Sequence, residues 1–395
     1  MNNITQTNHS VSRTNKVKIE DIKKDWLTVL DKENWLPFET CLASIASMTL
    51  KNNDKCMGII LIGQSGSGKT EILNMFKDLP NDMTYYTDSF TPASFLSQAM
   101  NIARNKIENV DLIRRLPDKV MVVPDLAPLF GMHNETLQQN MSRLVRIMDG
   151  EGYANDGGVH GHREFREECI FTLIGGVVNI PNNTWNIVSQ IGTRLLFCRM
   201  KEMTEFDSMK RALIRQLRTE NSFRPTVRRI KTETENLIRD LISRNGIRGK
   251  KWNTAIGHNE KQLLKIAMLI SLLRASNGNI EAPFRVHNQL KNLARGRALI
   301  YERDYLTKDD LSLSLKVALS SVRGLRGKLV AHIIKSSPVP CVLEELIPVT
   351  DNQDTRVREE LKTLVTLGIV KQDRLGRADC WFLEDNWTML KDIID

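Results

Sequence analysis

Gly58-Ile-Ile-Leu-Ile-Gly63-Gln-Ser-Gly-Ser-Gly68-Lys69-Thr70-Glu71-Ile-Leu-Asn-Met-Phe is the stretch on which the reading of this chain turns. Residues 58–62 are the length of one buried strand. They run into Gly63, Gln64, Ser65, Gly66, Ser67, Gly68, Lys69 and Thr70, and a helical pattern follows from Glu71. Gly-x-x-x-x-Gly-Lys-Thr between a strand and a helix is a phosphate-cradling loop in the context the motif requires. Its residue types follow from the chemistry. Gly63, Gly66 and Gly68 let the backbone turn tightly, with N–H groups aimed inward at an anion. The helix start adds partial positive charge and unpaired N–H groups. Lys69 can reach the β- and γ-phosphates, and the Thr70 hydroxyl can join a Mg²⁺ shell. ATP and Mg²⁺ are the ligands this pattern predicts.

Such a site needs a second carboxylate at a strand end to hold the metal. Val120-Met-Val-Val-Pro-Asp125 supplies it, although Asp125 could also simply cap a turn. The next residue is Leu126, where many such ATPases carry a glutamate that polarises the attacking water. Glu135, Glu167 and Glu168 are the candidates for that base, and slow turnover is the expectation if none serves.

Composition narrows the class. At 395 residues, 41% hydrophobic and 26% charged, the chain is long enough for two or three globular domains. Its apolar runs are strand-sized, so no membrane span and no membrane partner are expected. The polar start lacks the apolar core of a signal peptide. A net charge of +9 favours polyanion partners. Six scattered cysteines without a Cys-x-x-Cys pair read as reduced thiols, with Cys56, Cys169 and Cys198 in or beside strands, which suits a cytoplasmic setting.

The predicted organisation is a disordered tail over residues 1–18, an α/β core over 19–200, an all-helical lid over 201–323 and a winged-helix domain over 324–395. Five strand-like runs, 56–62, 83–87, 119–123, 169–175 and 194–200, alternate with helical patterns, including one over 93–105 behind Thr91-Pro92. That alternation predicts a parallel five-stranded sheet with helices on both faces. In the lid, amphipathic helices are predicted at 206–217, 226–243, 259–275, 286–299 and 308–323. Toward the end come helices near 327–335, 341–347 and 355–367 and a two-stranded wing about Gly376.

Taken together, these features resemble the AAA+ P-loop ATPases, and within them the MCM-type replicative helicases and MCM-like ATPases of mobile elements. Residues 150–163 stand where that family inserts a β-hairpin pointing into a ring channel. Ile191-Gly-Thr-Arg194 is similar to the segment whose arginine reaches a neighbour's γ-phosphate. Pro283-Phe-Arg285 opens a stretch similar to the lid segment that carries a second sensor arginine, so Arg285 joins the nucleotide-binding set. Asn179 is the stand-in for a first sensor. The resemblance implies a homo-oligomer, a hexameric ring, working on DNA as a helicase or remodeller. Only 57 residues precede Gly58, so the large N-terminal DNA-binding domain of the replicative helicases is missing from this sequence.

Each assignment has a plainer rival. Arg194 could pair with an acidic neighbour, and Arg285 could be solvated. His160 and His162 could mark a metal, but with Arg163 they read better as hairpin-tip contacts to a nucleic-acid backbone. In the winged helix, Val357, Leu361 and Leu364 form the buried stripe, while Arg356, Arg358, Lys362, Lys371, Arg374 and Arg377 supply charge for DNA, or for protein docking. The basic run Arg244 to Trp252 reads as a solvated loop or a second nucleic-acid patch. The competing function is a nucleotide switch, such as an initiator, loader, regulator or defence sensor, in which ATP binds with little hydrolysis.

Overall fold

The structure, a computed structural model, describes residues 16–191, 194–202, 206–253, 257–275, 280–350 and 354–394. Most of the tail predicted over residues 1–18 lies outside them. The strands are β1 (Met57–Ile62), β2 (Thr84–Tyr86), β3 (Val120–Val123), β4 (Tyr153–Asn155), β5 (Arg163–Phe165), β6 (Thr172–Val177), β7 (Leu195–Arg199), β8 (Cys341–Val342), β9 (Val370–Leu375) and β10 (Ala378–Leu383). Helices α1 (Ile19–Val29) and α2 (Trp35–Ala46) lead in, and α3 (Lys69–Asn74), α4 (Ala127–Phe130), α5 (Asn134–Ile147) and α6 (Asn182–Ile191) fill the α/β part. Then come α7 (Phe206–Asn245), α8 (His258–Leu273), α9 (Phe284–Ile300), α10 (Lys308–Ser320), α11 (Arg326–Ser336), α12 (Leu343–Thr350), α13 (Asp354–Thr366) and α14 (Lys391–Ile394).

The main sheet has five parallel strands in the order β2-β3-β6-β1-β7. β1, β3 and β6 are buried along their whole length, which is why their sequences are continuous apolar runs and not alternating ones. Side chains alternate between faces all the same. Ile59 and Leu61 join the core shared with α2, α9 and α10, whereas Ile60 and Ile62 join the one shared with α5. This is the P-loop α/β sheet that the sequence predicts.

Two predicted helical segments come out differently. Residues 93–105 do not form a helix; a 3-10 turn, Pro92–Leu96, is followed by irregular chain. Tertiary bonds hold the backbone there: the Asp111 carboxylate accepts from the Ser97 amide at 2.9 Å, and the Arg163 guanidinium donates to the Ser97 carbonyl. The predicted break between residues 217 and 226 is also absent, because α7 is one helix of 40 residues with Pro225 inside it. Proline removes one amide from the ladder. Here Asn221 and Pro225 face solvent, where water can take the freed carbonyl.

Helices α7 to α10 pack on the α/β part through a tight seam. Gly296 of α9 lies so close to α2 that an added Cβ would stand 2.0 Å from the Ala43 carbonyl oxygen. Beside it the Arg297 guanidinium donates to Glu39 at 3.0 Å and to Asp310 at 2.8 Å, all three buried. The basic run at and after the end of α7 is only partly solvated: Trp252 is buried, Lys250 pairs with Leu50, and Arg248 is ion-paired with Glu168 and Asp118, while Arg244 and Lys251 are exposed. At the C-terminal end, α11, β8, α12 and α13 precede the β9–β10 hairpin, and β8 completes a three-stranded sheet in the order β8-β10-β9. Val357, Leu361 and Leu364 of α13 are fully buried. Among the described residues no helix is long and apolar enough to cross a membrane.

Candidate nucleotide site

Parallel strands bring the ends of β1, β3 and β6 to one edge of the sheet. Ile62 is level with Val177, and Val123 with Gly175, so Gly63, Asp125 and Asn179 all emerge there. β6 separates β1 from β3, which puts the loop and Asp125 on strands about 10 Å apart. That gap is the width of a phosphate group with a hydrated cation beside it.

The loop itself is shaped for an anion. Gly66 and Gly68 have φ of 78° and 92°, the left-handed region that other residues reach only with strain. Lys69, 9% exposed, turns back and donates to the Gly63 carbonyl at 2.6 Å and the Gln64 carbonyl at 2.9 Å. Burial holds its ammonium below the usual lysine range, and the Asp125 carboxylate pulls the other way, so the two charges feel each other across the site. Gln64, Ser65, Thr70, Glu71 and Asp125 are exposed, while Ser67 is buried in the turn. The Asp125 carboxylate accepts from the Ala127 amide at 2.8 Å, closing a turn ahead of α4. That leaves its second oxygen for a cation.

Several neighbours of the loop were not legible in the motif. Asn34, just before α2, donates its amide to the Ser67 carbonyl at 3.1 Å. An added Cβ on Gly63 would stand 2.7 Å from Met200, so the chain leaving β7 walls the cradle. Arg199 ends β7 level with Ile62, half-buried over the Trp185 ring, its guanidinium held below the usual range by burial, with Glu202 opposing. A cation directly after the apolar run 195–198 was the only available signal.

Arg194, predicted to reach a neighbour's γ-phosphate, and Arg285, the predicted second sensor, both stand away from the cradle of their own chain. Arg194 precedes β7, at the end of the sheet opposite the loop, 8% exposed and donating through Nε to Asp149 at 2.9 Å. Its predicted acidic neighbour is therefore real. Arg285 lines a cavity of about 230 Å³ together with Arg194, Cys56 and Met57, the start of β1. β1 is six residues long, so Arg285 stands roughly 20 Å from the cradle of its own chain and does not belong to that site.

Leu126 is 2% exposed and packs where a Cβ on Gly175 would meet it at 2.6 Å, so it is a core residue and not a displaced base. Glu167 and Glu168 precede β6 at the far end of the sheet, and Glu168 is paired with Arg248, which removes both as bases. Glu135, exposed in the first turn of α5, follows the chain leaving the loop edge.

The hairpin predicted within residues 150–163 forms, with β4 and β5 antiparallel. Its tip is not the basic one expected. Arg163 is buried against Asp111, at 2.6 and 3.0 Å, and ties the hairpin to the core. The His160 ring contacts the Ala99 carbonyl at 2.9 Å. His162 lies between Asp156 and Glu164, which raise its pKa through hydrogen bonds, Asp156 foremost. Among the described residues no cluster of three or more His, Cys, Asp or Glu could hold a metal. All six cysteines are free and buried.

Neither a known protein family nor a curated protein matches the sequence. Among solved structures the chain is similar to a candidate ATPase from Cytophaga hutchinsonii, at 15% identity over 77% of this chain and 85% of that one, with a TM-score of 0.41. It is also similar to the helicase Cch of SCCmec type IV, at 10% identity over 95% and 72%, TM-score 0.37. A third is the NrS-1 C-terminal region, at 12% identity over 93% and 76%, TM-score 0.31.

Proposed function

We propose that this chain is an AAA+-type ATPase that acts on DNA as a ring, in the manner of an MCM-like helicase or remodeller. The observation that carries it is the cradle of Gly63 to Lys69 on β1 at the same sheet edge as Asp125, with β6 between their strands. Backbone amides and Lys69 would bind the triphosphate, and Thr70 with Asp125 would hold Mg²⁺, which neutralises phosphate charge when bound. Asn179 at the same edge would orient water or the γ-phosphate.

Ring formation is supported by what the single chain lacks. Arg194 and Arg285 share a cavity at the end of the sheet away from their own cradle, where they would complete the site of the next copy. In that arrangement a neighbour's triphosphate competes with Asp149 for Arg194, and an arginine delivered so is worth several orders of magnitude in rate. The unit of residues 324–395, read as a winged helix, adds DNA affinity through its exposed wing. Arg377 is exposed there, while Arg374 and Lys371 lie near Asp379 and Asp385.

The test is ATP hydrolysis across protein concentration, with and without single- and double-stranded DNA. DNA-stimulated turnover that rises with assembly is expected, and Arg194→Ala should bind ATP normally but lose turnover by at least about a hundredfold. Normal turnover by Arg194→Ala at assembling concentrations would refute the ring. The buried Leu126 favours a second reading, a nucleotide switch with little hydrolysis. Slow phosphate release, indifferent to DNA, would select it.

A further inference from the structure

The cavity at the N-terminal end of β1 contains groups that the ring reading does not use. Gln289 of α9 is 6% exposed, and both its amide nitrogen and its amide oxygen are without a hydrogen-bond partner. A buried amide left so is costly, so it calls for an explanation. It lines the cavity of about 230 Å³, and so do Lys55, Arg194, Arg285 and Lys291, against the single carboxylate of Asp54. Lys55 is paired with Glu151 and Arg194 with Asp149, whereas Lys291 donates to the neutral Asn288 amide at 2.9 Å.

The start of α9 points the same way. This helix has 17 residues, begins at Phe284 on the cavity wall, and has no side chain capping its first turn. With that turn uncapped, the positive end of its dipole lies beside the cavity wall at Phe284. Burial, with Arg295 adding to it, holds the Lys291 ammonium below its usual range, and Asp54 opposes. An arriving anion would favour that charge. An amide that can donate, a cation held uncomfortably and an uncapped helix start on one wall together suit a tetrahedral oxyanion.

We infer that this cavity is a second phosphate-binding site, already formed in the single chain and distinct from the cradle, with Gln289 and Lys291 as its recognition groups. It builds on the ring reading in one respect: the phosphate can be the terminal group of a neighbour's nucleotide or free inorganic phosphate. In the second case free phosphate competes with the neighbour and regulates assembly.

The probe is inorganic phosphate, measured by calorimetry on the full chain at dilutions where it is monomeric. Lys69→Ala removes the phosphate site of the cradle, so binding that persists in this variant belongs to the second cavity. Adding Gln289→Leu should weaken that residual binding at least about tenfold, the size of one lost bond to a charged group. Leucine also removes the orphaned amide, so the thermal midpoint should stay level or rise, which separates lost binding from lost fold. Lys291→Gln serves as a second variant with the same expected loss. Absence of phosphate binding in Lys69→Ala, or equal binding after Gln289→Leu, would overturn the assignment. A parallel arm measures ATP turnover by Gln289→Leu at assembling concentration. Reduced turnover identifies the neighbour's nucleotide as the source, and unchanged turnover identifies free phosphate. Should wild-type protein fail to assemble or hydrolyse ATP while the dilute phosphate result holds, the ring falls and this site stands.

Discussion

Lys69 and Asp125 bear on different steps, and their variants should separate them. Lys69 supports the turn through the Gly63 and Gln64 carbonyls and, in the proposed function, would meet phosphate directly. Lys69→Ala should weaken ATP binding by about a hundredfold or more, near 2.7 kcal/mol, read by fluorescent-nucleotide titration. Asp125→Asn should leave metal-free nucleotide binding within a few-fold and abolish Mg²⁺-dependent turnover. Leu126 invites a third change. Installing the missing glutamate, Leu126→Glu, puts a carboxylate into a packed site against Gly175. The expected result is a loss of stability of about 3 kcal/mol with no gain in rate, seen as a lower thermal midpoint. A rate gain would show that the side chain reaches the loop edge after all. At this scale the motif residues were legible because a phosphate cradle needs fixed letters at fixed spacing. Asn34 and Gln289 were not, since nothing local distinguishes an amide that meets the loop from one on a surface.

Among the elements, the closest approach is that of α9 to α2. Gly296→Ala would force apart two helices whose backbones touch at Ala43, and overpacking of this kind costs about 1–3 kcal/mol. A drop in the urea midpoint at unchanged slope would register it. The strands were readable because each is a short apolar run bounded by turn residues, and a sheet covered on both sides demands that. The 93–105 segment misled because local helical spacing was outweighed by the distant Asp111 and Arg163. α7 misled in the other direction, since Pro225 disfavours a helix interior but does not end this one, where water can reach the freed carbonyl. Arg163 looked like a tip cation, but its partner Asp111 is 52 residues away in sequence.

For the whole molecule, the buried network of Glu39, Arg297, Asp310 and Arg303 links α2, α9 and α10. Burial alone would raise the Asp310 pKa, but Arg303, the Thr307 amide and Arg297 outweigh it and hold the carboxyl below its ordinary value. A carboxylate depressed in the folded state contributes stability above its unfolded pKa, near 3.9, and loses it as pH falls through the folded value. Arg303→Gln should raise the folded pKa and so move the acid-unfolding midpoint upward, followed by tryptophan fluorescence between neutral pH and pH 2. An unmoved midpoint would mean that Arg303 does not hold this charge. The run of helices α7 to α10 was visible in the switch from strand-sized runs to long amphipathic ones after residue 200, whereas the place of Arg194 and Arg285 on the remote cavity depended on contacts far apart in sequence.

Where Gly296 nests against Ala43, the two helices have no clearance for a single methyl group, and buried ion pairs rivet the joint on one side. A bending point at that joint would have to strip those charges of their partners on every cycle. The joint between α2 and α9 is therefore built to move as one block.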